Sequence, residues 1–261
     1  MKAIYDKIGE DYDTTRRADP VLVKRISDLL GLVVGKRYID VACGTGNYTV
    51  ELNDSNGNWV GIDNSYRMHQ SAIEKDVKVS WCNGDAESIP FRSESFNGAI
   101  CTLAIHHFVE IEKAFSEIGR IIMKRGSFVI FTALPNQLSG YWLNEYFPDA
   151  MKESANQLPG QSLIVESLRK AGFKIECLEA FDVTPQLSDF FLYSGKHRPE
   201  IYLSAAVRKG ISTFSRLATD SELASGLARL AHDIDTGHIQ DIIQKYPGGP
   251  GDYQFIQAKK I

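Results

Sequence analysis

The chain is predicted to be an α/β protein: a seven-stranded, mostly parallel sheet with an antiparallel last strand, helices on both faces, and a mainly helical cap. Three observations predict it. Apolar runs of strand length alternate with segments of helical period from residue 20 to residue 183, the pattern of βαβ units. Acidic residues, Asp40, Asp63 and Asp85, fall at or just after the ends of successive strand-like runs. A turn holding Gly44 and Gly46 separates the first strand from a helix start, where a ligand can lie against the main chain at a helix N-terminus.

Taken in order, residues 1 to 19 carry two Tyr-Asp pairs, Tyr5-Asp6 and Tyr12-Asp13. Pro20 to Gly31 has a helical period, with Pro at the first position and Gly at the stop. The first strand is expected at 37–41, the second at 59–63, the third at 77–82 and the fourth at 96–105, ending in His106-His107-Phe108. Adjacent histidines on an extended chain point to opposite faces, so one of the two is expected to face the site. An amphipathic helix follows at 111–122, then a fifth strand at 127–132, a helix at 162–173, a sixth strand at 174–183 and the last strand at 252–259.

Two segments are extra to this alternation, 134–160 and 185–250, and both attach on the side of the glycine turn. The second reads as helical, with Thr219-x-x-Glu222 as a capping box and Leu223, Leu227, Leu230 and Ile234 as an apolar stripe that suits core packing. Its basic and acidic residues balance, which suits a lid over a small molecule. The expected organisation is one domain from 1–184 with 251–261, and a helical cap from 185–250.

Composition excludes several classes. A 43% hydrophobic and 24% charged chain is ordinary globular composition, and no apolar run is long enough to span a bilayer. Met1 to Asp6 turns polar at once, so no signal peptide is expected and the location is expected to be cytoplasmic. A net charge of −4 leaves no basic field for a polyanion, so nucleic acid is not an expected partner. Cys43, Cys82, Cys101 and Cys177 have no paired spacing and read as small apolar residues.

The stretch Asp40-Val41-Ala42-Cys43-Gly44-Thr45-Gly46-Asn47 lacks the third glycine of a dinucleotide fingerprint, since Thr49 stands there. With its acid ahead of the glycines it resembles the first motif of the class I S-adenosylmethionine-dependent methyltransferases of Rossmann-like fold. Gly84-Asp85-Ala86-Glu87-Ser88-Ile89-Pro90-Phe91 resembles the adenine-contacting motif of that family, and the run into His106 resembles its fourth motif. The Tyr5 and Tyr12 segment resembles the arm that folds over the cofactor in many small-molecule members. Where the family usually carries Leu-Lys-Pro-Gly-Gly before the fifth strand, this chain has Met123-Lys124-Arg125-Gly126-Ser127.

The resemblance implies S-adenosyl-L-methionine as cofactor and a small-molecule methyl acceptor. It implies Asp40 at the amino end of the cofactor's methionine part, Asp63 on the ribose hydroxyls, and Asp85 with Ala86 on the adenine. Tyr5, Tyr12, Ala42, Gly44, Thr45, Gly46, Asn64, Met68, Gly84, Leu103 and His106 complete the expected cofactor contacts, and no metal is expected. His106 is the candidate catalytic group, with His107, Tyr12, His197, His232 and His238 as other bases. Two other classes stay open: a silent cofactor-binding or scaffold protein, and a NAD-dependent oxidoreductase, which would share Asp63 but not the Gly84-Asp85-Ala86 motif.

Overall fold

The computed structural model describes residues 12–54 and 58–261. Its strands are β1 Arg37–Val41, β2 Asn58–Asp63, β3 Ser80–Asn83, β4 Phe96–Thr102, β5 Ile122–Thr132, β6 Phe173–Phe181 and β7 Tyr253–Lys260. They form one seven-stranded sheet in the order β3-β2-β1-β4-β5-β7-β6. β1 to β5 pair in parallel, and β7 runs antiparallel to both β5 and β6. The predicted class holds. The strand order reverses between β1 and β4, so a crevice opens at their carboxyl ends, where open α/β sheets take ligands.

Alternation along the strands sends side chains to two cores. Tyr38 and Trp59 stack at 5.3 Å on one face, while Ile39, Val41, Val60 and Ile62 pack on the other. The helix Pro20–Leu30 covers the first face through Leu22, Ile26, Leu29 and Leu30, each such burial contributing about 1.5–3 kcal/mol. Asp19 caps it by accepting from Val21 N and Leu22 N, and Gly31 ends it in the left-handed conformation. Helices Ile111–Ile121 and Gln161–Lys170 cover the second face.

Three strand bounds differ from expectation by three residues or more, each for a local reason. β3 begins three residues late because Asp76 Oδ1 accepts from Lys78 N at 2.7 Å, turning the chain and leaving Val77 in solvent. β4 stops at Thr102 because Leu103 takes a positive φ of 54° and donates its N–H to Phe131 O. β5 begins at Ile122, where the family would turn; an irregularity in its register with β4 and a positive φ at Arg125 let the strand run on.

The two extra segments build one cover. Residues 134–158 form helices Pro135–Ser139 and Pro148–Gln157, and the chain between β6 and β7 forms helices Ala205–Lys209, Asp220–Thr236 and Ile239–Gln244 with short turns between. They interlock through Phe147 against Phe214 at 5.1 Å and through Tyr141 stacked on Tyr193 at 3.9 Å. Tyr141 and Tyr202 share a hydroxyl hydrogen bond of 2.6 Å. Leu230 is fully buried, with Leu223, Leu227 and Ile234 packed beside it as the apolar stripe predicted. The capping box is only half made. Thr219 Oγ1 accepts from Glu222 N, but Glu222 accepts from Asp149 N and Ala150 N instead of reaching back, so it caps the helix of the other segment.

Candidate functional site

A cavity of about 480 Å³ runs from the carboxyl ends of β1, β2 and β4 to the underside of the cover. Its floor is the glycine turn. Gly44 has φ 57° with nothing near a would-be Cβ, so its backbone is open to a ligand, whereas a Cβ on Gly46 would sit 2.2 Å from the Trp81 ring. Gly46 is therefore needed for the turn to lie on Trp81, and it does not line the cavity. Ala42 and Leu103 hold positive φ at the ends of β1 and β4, a backbone strain of order 1–2 kcal/mol each that the fold sustains beside the cavity.

Asp40 is buried and lies on the cavity. Its Oδ2 accepts from Thr49 Oγ1 at 2.6 Å, while its Oδ1, also shut off from solvent, has no partner among the described residues. Burial pushes its carboxyl up to about 7, against the Thr49 hydrogen bond, with Asp63 adding to the rise. A buried carboxylate oxygen lacking a donor fits an ammonium group placed there. Asp63 accepts from Gly44 N and Ser65 N, both at 2.8 Å, which fixes the carboxylate beside the turn. Asp85 stands exposed at the rim, its Oδ1 accepting from Glu87 N.

The turn is clamped from above by the N-terminal segment. Asp13 accepts from Thr45 Oγ1 at 2.6 Å and from Asn47 Nδ2 at 3.0 Å, and pairs with Lys75 at 3.0 Å. Arg16 Nε donates to the buried Asp189 of the cap at 2.6 Å, and Tyr48 Oη donates to the same carboxylate at 3.0 Å. Arg16, Tyr48 and Asp189 all line the cavity.

His106 and His107 do not point to opposite faces. After Leu103 the chain coils into a tight turn, Ile105–His107, that brings the two rings to 3.9 Å and sets both on the cavity. Burial, followed by the charge of Arg216, lowers His106 to about 4; burial, His106 and Arg216 lower His107 also. Both imidazoles are neutral near pH 7. The cover contributes Leu138, Leu158, Phe191 and Ile211 as apolar wall, with a hydroxyl pair, Ser154 Oγ and Thr213 Oγ1, at 2.6 Å.

Of the expected residues, the cavity gathers Asp40, Ala42, Gly44, Thr45, Asp63, Asn64, Met68, Gly84, Asp85, Ala86, Leu103 and His106. Tyr5 lies outside the described residues, as does the side chain of Tyr12. His197 is tied to Val183 O at 2.9 Å, His238 to Asp241, and neither of these nor His232 lines the cavity. Sequence reasoning missed Arg16, Tyr48, Ser154, Asp189, Thr213 and Tyr253. Only Asp189, an acid directly ahead of the apolar run Phe190-Phe191-Leu192, carried a signal of its own.

Comparison with known proteins adds the family. A methyltransferase domain model matches residues 39–130. The demethylmenaquinone methyltransferase of Mycolicibacterium paratuberculosis is 26% identical over 66% of this chain and 85% of its own length, and that of Lactococcus lactis 25% identical over 66% and 81%. A solved structure from Anabaena variabilis, described as a methyltransferase from an antibiotic biosynthesis pathway, is 33% identical, with a TM-score of 0.84 over 93% of this chain and 98% of that one. The [4+2]-cyclase SpnF, 20% identical with a TM-score of 0.60 over 92% of this chain and 80% of that one, shares the fold. The glycine turn, the acids at the strand ends, the strand order and these relatives agree: the chain belongs to the class I S-adenosylmethionine-dependent methyltransferases, enzymes whose cofactor is S-adenosylmethionine.

Proposed function

We propose that the chain methylates a small, largely apolar acceptor held under the cap, by in-line displacement at oxygen, nitrogen or carbon and without a metal. The observation that carries this reading is the continuity of one cavity from the partnerless Asp40 Oδ1 at the glycine turn to the neutral polar groups of the cover. Bound S-adenosylmethionine supplies an electrophilic methyl group on a sulfonium. Asp40, ionised, accepts from the ammonium of its methionine part; Asp63 accepts from the ribose hydroxyls; Asp85 and the Ala86 backbone meet the adenine. Gly44, Thr45, Asn64, Met68, Gly84, Leu103 and His106 line the remaining contacts, and the apolar cover excludes water and fixes the approach of the acceptor. The cofactor portion is 1–184 with 251–261, and the cap 185–250, which residues 134–158 extend.

Calorimetry of the whole chain with S-adenosylhomocysteine tests cofactor placement, and transfer of a radiolabelled methyl group tests the reaction. Demethylmenaquinone is the first acceptor to assay, since relatives are named for it. Tight NAD binding with no response to S-adenosylhomocysteine would sink the reading.

A further inference from the structure

We propose that Glu117 and Arg120, which stand outside the cavity on the helix Ile111–Ile121, are positioning residues for the adenine end of the cofactor: they fix the loop that carries Asp85 and Ala86, and so set how well the site tells adenine from other purines. The inference rests on the methyl-transfer reading, which places adenine at that loop. Apart from a bridge between Asp85 and Ser88, residues 84–95 belong to no strand or helix. Their backbone groups have no ladder of their own and need other partners.

Side chains of one helix supply them. Glu117 Oε2 accepts from Ile89 N at 2.9 Å, Arg120 Nη2 donates to Ile89 O at 2.9 Å, and Arg120 Nη1 donates to Phe91 O at 2.7 Å. Arg120 also holds the Glu117 carboxylate through Nε at 2.8 Å and Nη2 at 2.7 Å, so acid and base keep each other aimed at the loop. As a partly exposed ion pair three residues apart on a helix, the two alone would contribute little. What they add is a grip on three main-chain atoms of the loop.

The helix is a firm base for that grip, because Ala114, Phe115, Ile118 and Ile121 are fully buried in the second core. The loop answers at the start of the helix. There Glu87 Oε1 accepts from Val109 N at 2.7 Å and from Glu110 N at 2.9 Å, while the Glu110 side chain makes no cap.

Asp85 is exposed, so packing does not place it. Its position comes from the turn, in which Ser88 N donates to Asp85 O at 3.0 Å and Glu87 N to Asp85 Oδ1 at 2.9 Å. That turn runs directly into the gripped Ile89. A hydrogen bond to the exocyclic amine of adenine weakens steeply with distance and angle, whereas apolar contact with the ring tolerates small shifts. Loosening the grip should therefore cost recognition of the amine before it costs contact with the ring.

The test titrates the full chain by calorimetry with S-adenosylhomocysteine and with its 6-deamino analogue, in which hydrogen replaces the amine. The unaltered chain is expected to prefer the amine about ten-fold or more, and Asp85→Ala to abolish that preference. Arg120→Met should bring the preference within about three-fold while moving the analogue's own affinity less than about three-fold, and Arg120→Lys should fall between. Glu117→Gln, which keeps the side chain's size and an acceptor for Ile89 N, should lower the preference about three-fold and serves if Arg120→Met does not fold. The inference is overturned if Arg120→Met, or Glu117→Gln in its place, weakens both ligands equally or leaves both unchanged, or if Asp85→Ala keeps the preference. An unaltered chain that binds no S-adenosylhomocysteine would instead strike the methyl-transfer reading. Binding with the preference lost in Asp85→Ala but kept in Arg120→Met strikes only this inference.

Discussion

The strand-end half of the cavity and the cap half are held by different kinds of contact. At the strand ends, carboxylates grip backbone N–H groups a few residues away or one strand over, as Asp63 does with Ser65 and Gly44. In the cap half, side chains far apart in sequence meet: Ser154 with Thr213, Tyr141 with Tyr202, Tyr146 with Asp233, Arg16 with Asp189. A ligand common to a family is served by the first kind, because it needs a fixed main chain. An acceptor particular to one member is served by the second, where side chains can change without moving the sheet.

The largest expected effect breaks the join between the halves. Asp189→Ala removes the buried carboxylate that Arg16 and Tyr48 both donate to, and removing one partner of such a pair costs about 3–5 kcal/mol. Urea unfolding should show that loss. A change below about 1 kcal/mol would mean that the N-terminal segment is not docked as seen. The same pairing bears on proteolysis: Arg16 is engaged with Asp189 and Lys196 with Asp252 at 2.7 Å, so these sites are expected to resist trypsin until the pairs open.

Next is Asp40, which sharpens the comparison because only the strand-end half stores a carboxylate at such cost. Burial raises its folded pKa to about 7, well above the 3.8 of an ordinary aspartate. The folded chain therefore binds more protons than the unfolded chain between these values, so stability falls as pH rises through that window. The deficit is fully present above about pH 7 and is on the order of 4 kcal/mol. Asp40→Asn removes the titration. Thermal melts of the ligand-free proteins should move in the variant's favour between pH 5 and pH 8, and an unchanged difference would contradict the assignment.

Legibility in sequence follows the same divide. Asp40, Asp63, Asp85 and the two glycines could be read because strand ends and turns are local, and their spacing carries the chemistry. The histidine pair was misread because nothing about a leucine announces the positive φ at Leu103 that ends β4 and coils the next residues. Ser154 and Thr213 are one small polar residue in each of two helical segments, with no local pattern to single them out. Their pairing exists only once both segments fold onto the first face of the sheet. Gly46 shows the converse: its motif was legible, but its neighbour is Trp81, so its role in the turn is to let two surfaces touch.

With cofactor binding at the strand ends and acceptor choice in the cap, substitutions in the two halves should separate in their effect on the cofactor. The most direct measurement sets two variants side by side, Asp63→Ala and Thr213→Val, and reads S-adenosylhomocysteine affinity by calorimetry. Asp63→Ala should lose a charge-assisted contact worth ~1.5–3 kcal/mol, roughly ten- to a hundred-fold in Kd, while Thr213→Val should stay within about two-fold of the unaltered chain. Equal losses in both, or a loss confined to Thr213→Val, would contradict the division.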